Sequence, residues 1–314
     1  MKNLIALLFA LNIAATPAFA DTASCAIPGT NNEFLGIQTI RLWPGPAPEA
    51  KGTTCFDVPA ITIISPRQGT ANGSAIVIFP GGGYNILAGD LEGSEVADWF
   101  TARGFTAFIV SYRLTSHGYV MPVPLLDARR AIQTVRARAA DYHIAPSRIV
   151  VIGFSAGGHL AALASTEPVP GDAESDDAVA RVSSRPDYVV LGYPWLGAIQ
   201  ADTSHLNYCL AFNLMDKCAE LTQAYSPLLH VTKDTPPTFI YHTYDDQTVP
   251  VEQSLQYYDA LVKAGVQSEL HVFAHGSHGS ALGKGDAALD QWPALLETWL
   301  RAQGLLERNG AETR

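Results

Sequence analysis

The pentad Gly153-Phe154-Ser155-Ala156-Gly157 is the first place where this chain could do chemistry. An apolar run, Ile149-Val150-Val151-Ile152, precedes it, and a helix-compatible stretch, His159 to Ala164, follows. A sharp strand-to-helix turn needs residues without bulk beside its apex. The pentad supplies them and lifts Ser155 above the sheet edge as a nucleophile. That context points to acyl transfer, for which a serine needs a base for its proton and N–H donors for the developing charge. A plain Gly-Ser turn has the same composition, so the partners decide between the two.

Donors are available upstream. Ala75-Ile76-Val77-Ile78-Phe79 has the character of a buried strand and runs into Pro80-Gly81-Gly82-Gly83-Tyr84. Consecutive glycines after a strand leave backbone N–H groups free to face a ligand, so the expected oxyanion hole is Gly82 and Gly83 with Ala156, the residue after the serine. The alternative is that these glycines only make a tight turn.

The base and its orienting acid are expected downstream. Thr238 to His242 suits a buried strand and leads to Tyr244-Asp245-Asp246-Gln247-Thr248-Val249-Pro250, while Glu269 to Phe273 leads to His275-Gly276-Ser277-His278-Gly279. Adjacent carboxylates diverge, so only one can orient an imidazole, and the place before the Val-Pro turn favours Asp246 over Asp245. His278 lies in a loop of small residues and is preferred to His275. His242 and His271 lie inside strands, where a histidine is more often a satisfied structural residue. The order serine, acid, histidine is that of α/β-hydrolases.

These groups need a scaffold. Apolar runs near 37–42, 61–64, 76–79, 106–111, 149–152, 188–191, 238–242 and 269–273 give eight strand candidates. From the third onward they alternate with helical patterns at 94–102, 125–140, 251–264 and 287–302. The expectation is an α/β fold: a mostly parallel eight-stranded sheet with an antiparallel start and helices on both faces. Arg129, Arg130, Arg136 and Arg138 lie on a helix whose apolar positions recur at three and four residues, so they are expected on its solvated face, partnered by nearby acids. The acidic stretch from Pro168 to Ser184 is expected to be a mobile surface loop.

Composition limits the function classes. Lys2, an apolar run from Leu4 to Ala15 and Ala18-Phe19-Ala20 have the form of a signal peptide over 1–20, leaving 21–314 as a single domain in an exported protein, periplasmic or secreted. No segment approaches the roughly 18 uninterrupted apolar residues of a membrane span. In an oxidising compartment Cys25, Cys55, Cys209 and Cys218 can pair, and local pairing favours Cys25 with Cys55 and Cys209 with Cys218. Their spacing does not suit zinc, so neither a metal nor a cofactor is expected. A formal charge of −10, from 30 acidic and 20 basic residues, disfavours nucleic acid and anionic lipid as partners.

Taken together, Phe79 to Tyr84, Ser111-Tyr112-Arg113-Leu114, Asp127 to Arg138, Gly153 to His159, Tyr225-Ser226-Pro227 and Pro236 to Ser254 resemble the α/β-hydrolase esterases that include bacterial acetyl xylan esterase-like proteins. Sequences of this group often carry a xylanase label. Pro80 stands where hormone-sensitive-lipase relatives have histidine, which sets the chain apart from that branch. The resemblance implies a serine esterase, and the expected substrate is an O-acetylated xylan- or pectin-type carbohydrate. Alternatives are a general short-chain carboxylesterase, a peptidase, or a noncatalytic binding protein on the same fold. It also implies that an insertion around 192–231 forms a cap over the serine. Trp195, Leu196, Tyr208, Phe212 and Leu214 then become candidates for the substrate wall, or else the core of a small helical excursion. Tyr84, beside the glycines, is the stronger wall candidate. Oligomeric state has no signature in the sequence.

Overall fold

The computed structural model describes residues 31–32, 37–196 and 218–308. Strands β1 (Asn31–Asn32), β2 (Ile37–Arg41), β3 (Ala60–Ile64), β4 (Ala75–Phe79), β5 (Thr106–Ser111), β6 (Ile149–Phe154), β7 (Tyr188–Gly192), β8 (Thr238–Thr243) and β9 (Ser268–Phe273) form one sheet. Its order is β1-β2-β3-β5-β4-β6-β7-β8-β9. The pairs from β1 through β3 to β5 are antiparallel and all the others parallel. All eight expected strands are present. The ninth, β1, is a two-residue edge strand, too short to leave a hydrophobic period in the sequence.

Alternation within each strand explains why the sheet is covered on both sides. In β4, Ala75, Val77 and Phe79 join the core beneath helices α2 (Val123–Ala137) and α3 (Ser155–Thr166), together with Val151, Leu191 and Ile240 of neighbouring strands. Ile76 and Ile78 point the other way, toward Phe100 of helix α1 (Glu95–Thr101) and Trp292, Leu296 and Trp299 of the helix Trp292–Ala302. A strand buried on both faces shows a continuous apolar run, which is why β4 and β6 were legible as such.

Arg129, Arg130 and Arg136 depart from the expectation of a solvated face, whereas Arg138, just past the helix, pairs with Asp141 at the surface as expected. Arg130 is 5% exposed and bonds Leu42 O and Asp177, and Arg136 bonds Asp187 and Ser183 O. Arg129 lies beside Glu167. The acid partners were anticipated, but the burial was not. The segment expected to be a surface loop folds back over this helix, with Gln133 Nε2–H donating to Val182 O, so α2 is sandwiched between sheet and loop.

Of the cap-like insertion, the structure describes the chain to Leu196 and then helix Cys218–Tyr225 and the short turn Pro227–His230. Tyr208, Phe212 and Leu214, the leader over 1–20, Cys25 and Cys209 lie outside the described residues. Among the described residues no helix is long and apolar enough to cross a membrane.

Candidate active site

Four of the parallel strands, β4, β6, β8 and β9, deliver their following loops to one edge of the sheet, the carboxyl edge where open α/β sheets place their ligands. Ser155 follows β6 directly as the first residue of α3 and has φ +51°. A non-glycine residue in this left-handed region costs on the order of 1–3 kcal/mol and persists only where its surroundings enforce it. Enforcement comes from the close approach of the helix to β4: a Cβ on Gly157 would lie 2.1 Å from Phe79 O. Only glycine fits there, and the tight contact holds the turn that raises the serine.

Ser155 Oγ lies 2.8 Å from His278 Nε2, and His278 Nδ1 lies 2.8 Å from Asp246 Oδ2. A carboxylate only accepts, so Nδ1 carries the ring proton and Nε2 is left to accept from the serine hydroxyl. Asp246 is itself held by its own loop, with Oδ1 accepting from Thr248 N–H at 2.8 Å and Val249 N–H at 2.9 Å. Burial alone would raise this carboxyl, but hydrogen bonds from His242, His278 and Val249 N–H and the charge of His278 outweigh it and hold it well below the usual carboxylate range.

The competing residues are elsewhere. Asp245 turns away and accepts from Gly276 N–H at 2.9 Å, with His275 Nδ1 at 3.0 Å. His271 pairs with Glu269. His242 is fully buried behind the acid: its Nε2–H donates to Val249 O at 3.0 Å, with Asp246 Oδ2 further off at 3.4 Å, and Ser254 Oγ meets Nδ1 at 2.8 Å.

The glycine segment runs alongside the serine. A Cβ on Gly81 would lie 3.1 Å from Ser155 Cβ. Gly82 has φ +127°, and a Cβ there would meet Ile86 O at 2.2 Å, so the path of the segment requires glycine. Gly82 O accepts from Asn85 N–H and Ile86 N–H, which turns the chain sharply after the glycines. Among the described residues no protein acceptor takes the Gly82 or Gly83 N–H.

Tyr84 is not where the sequence suggested. With φ +61° its ring turns inward and is fully buried, and its hydroxyl meets His159 Nδ1 at 2.7 Å. Trp195 is 3% exposed and packs against the rings of Tyr84 and His159. Both side chains brace the glycine turn against α3, a role closer to support than to an open substrate wall.

His159 and Glu92 were missed by sequence reasoning. His159 Nε2–H donates to Tyr225 O at 2.8 Å, which leaves Nδ1 to accept from Tyr84. Burial pushes its imidazole down to about 4, with the bond to Tyr225 opposing. The unfolded chain binds this proton near the ordinary value of 6.5, so stability from neutral His159 is complete above that pH and is lost as pH falls toward 4. At roughly 1.4 kcal/mol per unit, the expected loss is on the order of 3 kcal/mol. Denaturant melts of wild type and His159→Gln over this range check it, and the variant should show the flatter profile. Glu92 lies in a Leu-Glu-Gly stretch without a motif. It is buried against the glycine segment, where its carboxyl is raised by burial and lowered in part by bonds from Tyr193 and Gly81 N–H and by the charge of His278.

Among the described residues no group of three His, Cys, Asp or Glu side chains could hold a metal ion. A mostly parallel sheet with this crossover order, and with serine, histidine and carboxylate in contact at its carboxyl edge, is the α/β-hydrolase fold.

Comparison with known proteins narrows the class. The BD-FAE family matches residues 61–261, and the chain belongs to that family. Acetylxylan esterase of Xylanibacter ruminicola is 33% identical over 235 residues, covering 74% of this chain and 46% of the relative. The chain thus spans less than half the length of that protein. Among solved structures, the acetyl ester-xyloside bifunctional hydrolase from Caldicellulosiruptor lactoaceticus superposes with TM-score 0.76 at 37% identity, over 85% of this chain and 97% of that one. Thermogutta terrifontis esterase 2, phosphoramylated by tabun, superposes with TM-score 0.69 at 28% identity, over 88% and 98%. These relatives are carboxylic ester hydrolases by name.

Proposed function

We propose that this protein is a serine esterase that removes O-acetyl groups from carbohydrate through an acyl-enzyme. The observation that carries this reading is the unbroken chain from Ser155 Oγ through His278 to Asp246, with both links at 2.8 Å. His278 takes the serine proton as Oγ attacks the ester carbonyl and later returns it to the leaving sugar hydroxyl. Asp246 keeps the ring in the productive tautomer and stabilises the imidazolium. Gly82, Gly83 and Ala156 N–H hold the oxyanion, and a water activated by His278 then releases acetate. No step requires a cofactor.

The carbohydrate leaving group is favoured by the names of two relatives, an acetylxylan esterase and an acetyl ester-xyloside hydrolase. A general short-chain carboxylesterase is the second reading, favoured by the likeness to Thermogutta esterase 2. Release of acetate from acetylated xylan, acetylated pectin and p-nitrophenyl acetate separates them. Turnover of the polysaccharides or their fragments with kcat/KM at least equal to that on the synthetic ester supports the first. Hydrolysis of the synthetic ester alone supports the second.

Export and a single domain over 21–314 belong to this proposal, as do the pairings Cys25 with Cys55 and Cys209 with Cys218. Closing the short loop between the last two stabilises by about 2–3 kcal/mol in the chain-entropy account. Nonreducing peptide mapping tests the pairing, and a peptide joining Cys25 to Cys209 overturns it.

A further inference from the structure

A buried acid beside the glycine segment is used by none of the steps above. Glu92 sits on the π-helical turn Gly89–Ser94 and is 3% exposed. Both of its oxygens are engaged. Oε2 accepts from Gly81 N–H at 2.6 Å, and Oε1 accepts from Tyr193 O–H at 2.7 Å. Tyr193 follows β7, and its oxygen in turn accepts from Ala281 N–H at 2.9 Å in the loop that carries His278. The Tyr193 ring stands edge-on to the His278 ring, with centroids 4.9 Å apart. Ala281 O is held from the other side by Tyr241 O–H at 2.5 Å and Trp292 Nε1–H at 3.0 Å.

The carboxylate therefore joins two segments, one through each oxygen. On one side, Gly81 N–H is the residue before the proposed oxyanion donors Gly82 and Gly83, and the adjoining Pro80 O is fixed by Tyr112 O–H at 2.6 Å. On the other side is the loop of the proposed base. Burying a carboxylate is costly unless its bonds and charge are used, and both bonds here come from neutral donors. Gly81 N–H can only donate, and Tyr193 Oη already accepts from Ala281 N–H while its proton points to Glu92, so this arrangement favours the ionised form against the upward pull of burial. Around it stand the titratable groups Tyr193, Tyr112, Tyr241 and His278. Burial raises all three phenols, which stay neutral, so the imidazole is the one group of this set that alternates in charge during turnover.

We propose that Glu92 is a positioning residue that clamps the oxyanion segment through Gly81 N–H and the His278 loop through Tyr193, and whose negative charge supports the imidazolium formed at His278. It acts through these groups and touches no reacting atom. The inference rests on the Ser155–His278 chemistry proposed above.

Glu92→Gln preserves shape, keeps an acceptor for Gly81 N–H and removes the charge. On p-nitrophenyl acetate its kcat should fall by about tenfold to a hundredfold with KM little changed, less than direct loss of an oxyanion donor costs. The acid limb of its kcat/KM profile should move to lower pH, because an imidazolium that keeps Asp246 but loses a second nearby anion gives up its proton more readily. Glu92→Asp, which keeps the charge, should return the acid limb toward its original position. Tyr193→Phe, which keeps the ring but cuts the link to Ala281, should lower kcat and keeps the test open if a Glu92 variant fails to fold. An unchanged kcat in folded Glu92→Gln and Tyr193→Phe overturns the clamp. A reduced kcat with an unmoved acid limb overturns the electrostatic role. Ser155→Ala run alongside separates the two readings: if it is inactive while Glu92→Gln matches wild type, this inference alone fails, whereas an active Ser155→Ala removes the mechanism on which it rests.

Discussion

Ser155→Ala is expected to lower turnover on p-nitrophenyl acetate by on the order of 10⁶-fold, the loss typical when a triad nucleophile is removed. It should also abolish covalent labelling by a fluorophosphonate while the melting transition stays near that of wild type. The hydroxyl is the only group deleted, and its one bond lost is that to His278 Nε2. The backbone at φ +51° is enforced by the Gly157 contact with β4 and not by the hydroxyl, so the turn survives. Labelling that persists in the variant would move the nucleophile elsewhere.

Asp246→Asn is expected to cost on the order of 10⁴-fold in turnover. The geometry explains why. Oδ1 accepts two backbone N–H groups, from Thr248 and Val249, so the amide oxygen of an asparagine is held at that position and its NH₂ takes the place of Oδ2. The NH₂ then faces His278 Nδ1, which must become the acceptor, and the ring proton moves to Nε2, where it blocks acceptance from Ser155. It also confronts His242 Nε2–H, so a second donor is set against a donor. Asp245→Asn should cost far less, since the Asp245 carboxylate bonds Gly276 N–H and His275 at the surface.

The same substitution has a stability signature. Because bonding holds the Asp246 carboxyl below its ordinary value of 3.8, its contribution is complete above about pH 4 and is lost only as pH falls through the depressed folded value. The asparagine variant lacks that contribution at neutral pH as well. Activity needs a neutral imidazole at His278, since a protonated ring cannot accept the serine proton. Kinetics and melts of both aspartate variants across about pH 5 to 9 decide the assignment. A larger loss for Asp245→Asn than for Asp246→Asn would reverse it.

The choice between adjacent aspartates shows how far sequence patterns reach. Asp246 stood out because a turn followed it, and that turn supplies the Thr248 and Val249 N–H groups that hold its Oδ1. Local chain chemistry thus carries the information. Tyr84 illustrates the opposite case. Its position next to the glycines suggested exposure, whereas its direction depends on a positive φ and on a histidine 75 residues away. The α2 arginines misled in the same way, because a helix period cannot reveal that a distant loop covers the polar side.

Features written in short-range pattern could therefore be read from the chain alone. The apolar runs that make strands belong here, as do the small residues that permit the Ser155 turn and the glycine segment, and the order of serine, acid and histidine. Features that depend on juxtaposition of distant segments emerge only in the folded chain. Folding brought His278 across 123 positions to Ser155, turned Tyr84 inward, set His242 behind the acid and enclosed Glu92 between the glycine segment and the histidine loop. A strand's periodicity follows from its own backbone, but the partner of a buried polar group is fixed only when sheet order and crossovers bring another segment within about 3 Å.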